Sequence, residues 1–307
     1  MALRPFAEAD YPAFTELYNR CRPEVAQSEA ALRAFDATFR DDLLLNLVVE
    51  AEGELVGAVG AHRDAAGARQ VRFDMVVRPD ALETLPETLF RTVLGELEPH
   101  RPTALLVRVR EGWTFWLRFY EERGFGELER MWESRLELAS FNPGRFAGAA
   151  ERPAGISFKT LAELPDDEVT QRLLYETVVE LLGDVPFHEP LNIWPFPVWQ
   201  DRFWRNPTRR PESFFLAFHG AELVGVSELR AGPRPDWLQT GLTGVRRGYR
   251  GRGVAFALKL RAAEHAKAAG TAALTTQNHT VNQAMLAINE ALGFAKQPAW
   301  VRLKRTF

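Results

Sequence analysis

The chain has 307 residues, a net charge of −3 and an apolar fraction of 46%, which points to two globular domains at ~150 residues each and excludes a wholly disordered chain. That charge excludes a general attraction to nucleic acid or to an anionic membrane. Cys21 is the single cysteine, so an internal disulfide and a cysteine-rich metal site are excluded, and a reducing, cytoplasmic setting is expected. No apolar run approaches the ~20 residues that span a bilayer, the start lacks the pattern of a signal peptide, and no H-E-x-x-H pair suggests a metal.

In chain order, a strand is expected over Leu3–Phe6, followed by a helix capped by Asp10, with Pro12 in its first turn. A second helix begins at Ser28. Leu44–Glu50 and Glu54–Ala61 read as a hairpin turning at Glu52 and Gly53. Val71–Arg78 is a third strand. Thr84 and Glu87 form a capping box that opens a helix through Leu97. A strand at Leu105–Val109, a helix from about Trp113 to Glu122 ended by Gly124, and a strand at Leu128–Leu138 complete the first half. Ser140–Pro153, rich in Gly, Ala and Pro, reads as a linker.

The second half repeats the order. A strand at Ile156–Thr160 precedes a helix started by Asp166 or Asp167 and running through Leu182. A Pro- and Trp-rich segment follows from Gly183 to Pro211. Ser213–Phe218 and Glu222–Leu229 form a hairpin around His219, Gly220 and Ala221, and Leu238–Val245 is the next strand. A helix then runs from Gly253 or Val254 to Gly270. Ala272–Thr276 is a strand. Val281, Met285, Ile288 and Leu292 share one face of a helix that Gly293 stops, and Trp300–Leu303 is the last strand.

Two pairs of segments carry the repeat. Glu54-Leu55-Val56-Gly57 recurs as Glu222-Leu223-Val224-Gly225, 168 positions on, and Gly124-Phe125 recurs as Gly293-Phe294, 169 positions on. Two pairs at nearly one offset indicate a tandem duplication. The expected division is residues 1–142, a linker at 143–153, and residues 154–307.

The turn Tyr249–Ala255 lies between a strand and a helix. Such a turn binds phosphate: the first amides of the helix point outward, and its dipole places roughly half a positive charge there. Gly251 and Gly253 let the backbone approach an anion, and Arg246, Arg247, Arg250 and Arg252 add charge. A P-loop needs Gly-Lys-Ser/Thr, which is absent. A dinucleotide fingerprint needs a third glycine where Phe256 stands. A solvated, glycine-capped turn is the plain alternative.

Arg250-x-x-Gly253-x-Ala255 resembles the coenzyme A signature of the GNAT superfamily of N-acetyltransferases. Asn282 followed by Asn289-Glu290-x-x-Gly293-Phe294 resembles that family's second motif. The resemblance implies two tandem α+β domains, each a mixed, splayed sheet flanked by helices in the three-layer GNAT arrangement. It also implies acetyl-CoA as acyl donor, with no metal. Amides of Arg250, Gly251, Arg252, Gly253, Val254 and Ala255 would hold the pyrophosphate. Thr243, Gly244 and Val245 would pair with the pantetheine arm like an added strand, Asn282 would contact the coenzyme from the other side, and Asn278 and His279 would face the acyl group or cap a loop.

Two positions depart from the pattern. Asn289 stands where the family often has a tyrosine acid, and Gly241, Leu242 and Thr243 stand where a carboxylate often serves as base. An alkyl ammonium of pKa ~10.4 must still lose a proton at pH 7, a cost of roughly 4–5 kcal/mol. Glu228 is the first candidate base, with a surface strand end as the alternative, and His188 and Glu189 come next. Phe187, Trp194, Phe196, Trp199, Phe203 and Trp204, with Asp184, suggest a partly apolar acceptor pocket. They read equally as core or as an interface between the halves. The first half has Val77–Leu82 in place of the cradle, without glycine and with Asp80 where an anion would sit, so it is expected to bind no coenzyme.

The expected activity is transfer of an acetyl group from acetyl-CoA to the amine of a small molecule, by direct attack in a ternary complex. The alternatives are a non-enzymatic coenzyme-binding module and acetylation of a protein or peptide. The expected partner is a small-molecule amine, with no nucleic acid and no membrane, and the chain would be a monomer or homodimer.

Overall fold

The computed structural model describes residues 2–64, 69–150, 153–185, 193–206 and 209–307. It divides into two compact units: Met1–Arg130 with Ala299–Phe307, and Met131–Pro298.

Unit 1 holds β1 (Ala2–Pro5), α1 (Tyr11–Cys21), α2 (Glu29–Thr38), β2 (Leu43–Ala51), β3 (Glu54–Arg63), β4 (Gln70–Val77), α3 (Leu85–Leu97), β5 (Ala104–Arg110), α4 (Thr114–Glu121) and the first residues of β6 (Gly126–Glu137). Unit 2 holds the rest of β6, α5 (Ala147–Ala150), β7 (Ile156–Thr160), α6 (Glu168–Leu182), α7 (Phe196–Trp199), β8 (Phe214–His219), β9 (Glu222–Ala231), β10 (Trp237–Val245), α8 (Val254–Ala268), β11 (Ala273–His279), α9 (Gln283–Leu292) and β12 (Ala295–Lys296). The last strand, β13 (Trp300–Thr306), returns to unit 1.

Each unit is a mixed sheet flanked by helices, as expected. In unit 1 the strands run β1-β2-β3-β4-β5-β13, antiparallel except for β4–β5. In unit 2 they run β7-β8-β9-β10-β11-β6, antiparallel except for β10–β11. The parallel pairs are short. In unit 2 the ladder covers Trp237–Gln239 against Ala273–Thr275. Beyond it β10 continues along β9 to Val245 while β11 continues along β6 to His279. A gap therefore opens at the C-terminal ends of β10 and β11. Unit 1 parts in the same way after Arg72 and Leu106.

The duplication is visible in the backbone. Gly124 and Gly293 both take left-handed φ, +82° and +94°. Both end their helices with the same bonds: Phe125 N–H to Tyr120 O at 3.1 Å, and Phe294 N–H to Asn289 O at 3.0 Å. That is the glycine-capped helix end, in which a residue without Cβ turns the chain and the orphaned carbonyls find donors. Both hairpins turn on glycines of positive φ, Gly53 and Gly220.

Three expectations need correction. First, the halves do not close on themselves, so the division at 143–153 is not the structural one. The strand expected to finish the first half, Leu128–Leu138, pairs from Met131 onward with β11. The strand expected to finish the second half, Trp300–Leu303, pairs with β5. Backbone ladders carry no residue code, so either copy's last strand satisfies the same edge. Second, the expected linker is partly folded. Phe141 is buried and Phe146 packs against Phe256, while Lys267 Nζ donates to the carbonyls of Leu138 and Phe141, each at 2.7 Å. Two aromatics and a paired cation dock a segment whose composition reads as loose. Third, neither Asp10 nor Thr84 makes a side-chain cap; the Asp10 carboxylate accepts from Arg4 and the Ala7 amide, both at 2.7 Å. Glu87 binds Arg91 and Arg123 instead, both at 2.7 Å, and a charged donor outcompetes a backbone amide for the carboxylate. Ser28 and Asp167 do cap α2 and α6, accepting from Ala31 and Thr170 amides at 3.2 and 2.8 Å.

Candidate functional site

The site is built where β10 turns into α8. The run from Val254 to Ala268 is rich in Ala, with Leu, Lys and Arg among the rest, all strong helix formers. Its first internal bond is Ala257 N–H to Gly253 O at 3.0 Å. The amides of Val254, Ala255 and Phe256 thus have no acceptor within the helix, as the geometry of any helix start requires. Gly251 and Gly253 have φ of +72° and +82°, with nothing within 4 Å of where a side chain would begin. The turn needs glycine for its conformation and leaves open space above the free amides. An oxyanion fits it.

The four arginines expected to add charge are distributed unevenly. Arg246 turns away to Glu222 and Glu180, at 3.0 and 3.1 Å. Arg247 and Arg250 both bind Asp184, each at 2.5 Å, and Arg250 also donates to Val245 O at 2.9 Å. Arg252 donates to Gly248 O at 2.9 Å and lies over Tyr249. Asp184, expected in an acceptor pocket, is thus a clamp on the cradle. The Arg247 and Arg250 guanidiniums hold its carboxyl below the usual range.

Thr243, Gly244 and Val245 pair with Ser227, Val226 and Gly225 of β9, and on the other side they border the gap. α6 packs closely here: a Cβ at Gly244 would lie 3.1 Å from Leu181. β10 bulges between Thr240 and Thr243, holding one residue more than β9 opposite. Glu228 faces that bulge. A Cβ on Gly241 would come 2.4 Å from its Oε2, so glycine makes room for the carboxylate. Burial pushes the Glu228 carboxyl above its ordinary range, against the smaller opposing effects of Arg230 and the Leu242 amide. A carboxylate so placed holds a proton more readily than an exposed one.

Across the gap, Asn278 and Asn289 are brought together: Asn289 Nδ2 donates to Asn278 Oδ1 at 2.7 Å, and Asn289 is buried. Asn282 caps α9, accepting from Met285 N–H at 3.3 Å. His279 Nδ1 accepts from Val281 N–H at 3.2 Å. In the free protein these two side chains hold the loop. His188, Glu189 and Phe187 lie outside the described residues.

The aromatic segment is largely core. Trp199 and Trp204 are buried, and they stack or pack with Tyr175, Phe196 and Phe203 beneath α6 and β8. Trp204 Nε1 donates to Asp166 at 2.6 Å. Trp194 alone of the described set stands exposed.

Sequence reasoning missed Gly241, whose role rests on Glu228 packing over it, and Lys259. Ala255, Lys259, Ala262 and Ala266 form one stripe of α8 at four-three-four spacing, and a lone cation in an apolar stripe was the available signal.

The sequence profile of the acetyltransferase (GNAT) family matches residues 176–294. The chain carries a GNAT acetyltransferase domain. The match lies wholly within unit 2. A GCN5-related N-acetyltransferase from Sphaerobacter thermophilus is similar in fold over 99% of this chain and 95% of its own, with TM-score 0.77 and 21% identity. A tandem GNAT protein from the clavulanic acid biosynthesis pathway is similar over 99% and 98%, with TM-score 0.76 and 21% identity. A glucosamine N-acetyltransferase region of a fungal multi-domain β-N-acetylglucosaminidase is similar over 99% of this chain and 38% of its own, with TM-score 0.72 and 12% identity. No curated protein sequence matches the chain. The GNAT fold thus runs the full length of the molecule in tandem. Among the described residues no helix is long and apolar enough to cross a membrane.

Proposed function

We propose that the GNAT domain in unit 2 transfers an acetyl group from acetyl-CoA to the amine of a small molecule by direct attack in a ternary complex. The observation that carries this reading is the turn at Arg250–Ala255: left-handed glycines, unfilled space and free helix amides at the mouth of a parted strand pair. Pyrophosphate suits the amides, and the edge of Thr243–Val245 suits an extended arm carrying amides of its own.

The chemistry then follows from proton inventory. The amine nitrogen forms a bond to the thioester carbonyl carbon, the carbon–sulfur bond breaks, and the amine gives up a proton. Glu228, buried beside the bulge with a raised pKa, receives that proton directly or through water. The leaving thiolate is less demanding. A thiol of pKa ~8.5 departs unprotonated at pH 7 for only about 2 kcal/mol. Asn289 in place of a tyrosine acid is therefore tolerable, whereas a missing base would not be.

Calorimetry should find one coenzyme A site per chain, abolished by Gly253→Glu, which forces a side chain into left-handed φ and adds a charge repelling phosphate. Release of free thiol from acetyl-CoA across a panel of small amines and peptides then reads the acceptor. Two equal sites, or none, would sink the one-site reading. Asn289 favours one alternative, a coenzyme-binding module without catalysis. Tight binding with no thiol release across the panel would select it.

A further inference from the structure

Lys259 lies in the middle of α8, 3% exposed, and its Nζ is buried without a hydrogen-bond partner. Its amine sits 5.3 Å from the Phe294 ring centroid. Two further buried polar atoms on neighbouring elements lack partners: Thr275 Oγ1, at the last paired position of β11 before the strands part, and Asn289 Oδ1, on the side chain that bonds Asn278. These orphaned atoms lie on α8, β11 and α9 of unit 2. Buried polar atoms normally find partners, so the unpartnered Lys259 amine marks a place for a group that supplies one.

The direction of the side chain sharpens this. Lys259 is one turn after Ala255 on the same face of α8. Side chains on a helix lean toward its N-terminus, so the lysine reaches back toward the cradle. We propose that Lys259 belongs to the coenzyme site as a positioning residue, its amine donating a hydrogen bond to an acceptor oxygen of the coenzyme where the arm enters the gap between β10 and β11. This rests on the coenzyme reading above and deepens it.

The state of the amine makes the idea measurable. Burial lowers its pKa to about 7. Burial is the single cause: neither Glu228 on β9, His219 on β8, His279 on β11, Glu290 on α9, Arg145 ahead of α5 nor Glu264 on α8 itself shifts it. In the free protein at pH 8 the amine is therefore mostly neutral. Phosphates on the turn above and an acceptor oxygen beside it favour the charged form. Docking coenzyme A should draw one proton from the buffer onto Lys259.

The experiment is calorimetric titration of the full chain with coenzyme A at pH 8, in buffers of different ionisation enthalpy. The wild type should take up close to one proton more than Lys259→Met, and the variant should bind at least tenfold more weakly. Methionine fills the same apolar space without a buried amine, and Lys259→Gln provides a second variant should the first fold poorly. Equal affinity and equal proton count in wild type and variants would overturn the inference while leaving the coenzyme reading intact. A wild type that binds no coenzyme A would overturn both.

Discussion

The turn that follows β4 and the turn that follows β10 occupy the same place in their units and differ in every feature that binding an anion requires. After β10 the chain runs through two left-handed glycines into a helix whose first amides are free. After β4 it runs through Pro79 and Asp80, with no left-handed glycine between Val77 and α3. Arg78 there is held by Asp80 and Glu54, at 2.7 and 3.0 Å. The start of α3 is also pressed onto the hairpin, since a Cβ at Gly57 would meet Leu85 Cδ2 at 2.6 Å. Unit 1 keeps the parted strands and a cavity of about 700 Å³ whose lining includes Tyr11, Arg22, Phe39, His62 and Asp74, but not the cradle. Two copies of one frame can thus diverge at a turn of six residues while their hairpins and helix caps stay superimposable in kind.

The same contrast holds one helix later. Tyr120 occupies the position of Asn289 and is sealed in the core of unit 1 beside Phe73, Trp116 and Phe125, its hydroxyl pKa pushed well up by burial. Asn289 faces Asn278 at the gap. The tyrosine that could serve as an acid is in the unit without a cradle, packed as core.

Three changes probe that division of labour. The largest effect is expected from Glu228→Gln, which should lower kcat/KM for amine acetylation about 100-fold and leave coenzyme affinity within twofold. In the wild type, kcat/KM should fall as pH drops through a limb lying above the ordinary carboxylate range, since Glu228 must be ionised to act and burial raises its pKa. A limb that survives the substitution assigns the base elsewhere. Next, Arg22→Met in unit 1 removes a buried guanidinium that donates to both oxygens of Asp74 at 2.7 Å and to Met75 O at 2.8 Å. It should cost about 2–3 kcal/mol of stability by denaturant titration, with the coenzyme stoichiometry of unit 2 unchanged. A loss of coenzyme binding in the folded variant would break the picture of a supporting first unit. The smallest effect is expected from Asp184→Asn. Freeing Arg247 and Arg250 should tighten coenzyme A about threefold at low salt, an advantage that shrinks as salt screens the added attraction. Weaker binding would recast Asp184 as the group that aims those arginines.

Much of this was legible before any coordinates. Hairpins at Gly53 and Gly220 and helix ends at Gly124 and Gly293 are local events, governed by residues that lack a Cβ and by alternation within a strand, so their positions follow from neighbouring residues alone. The cradle is equally local, because a strand, two glycines and an Ala-rich helix start are contiguous in the chain. The aromatic segment was not legible in the same way. Trp199 and Trp204 read equally as pocket or as core until α6 and β8 cover them, because burial is a property of what packs on top.

What the sequence alone determined is therefore the set of short-range devices: the repeat, the order of elements, and the glycine turn that can receive an oxyanion. What only the tertiary structure decided is every relation between distant positions. The strand exchange that sends β13 to β5, Glu228 over Gly241, Asp184 on the cradle arginines and the buried amine of Lys259 each join residues far apart in the chain or depend on a neighbour's surface. Backbone hydrogen bonds accept any strand of the right length, and burial is set by whatever closes over a side chain, so neither is written in the residues themselves.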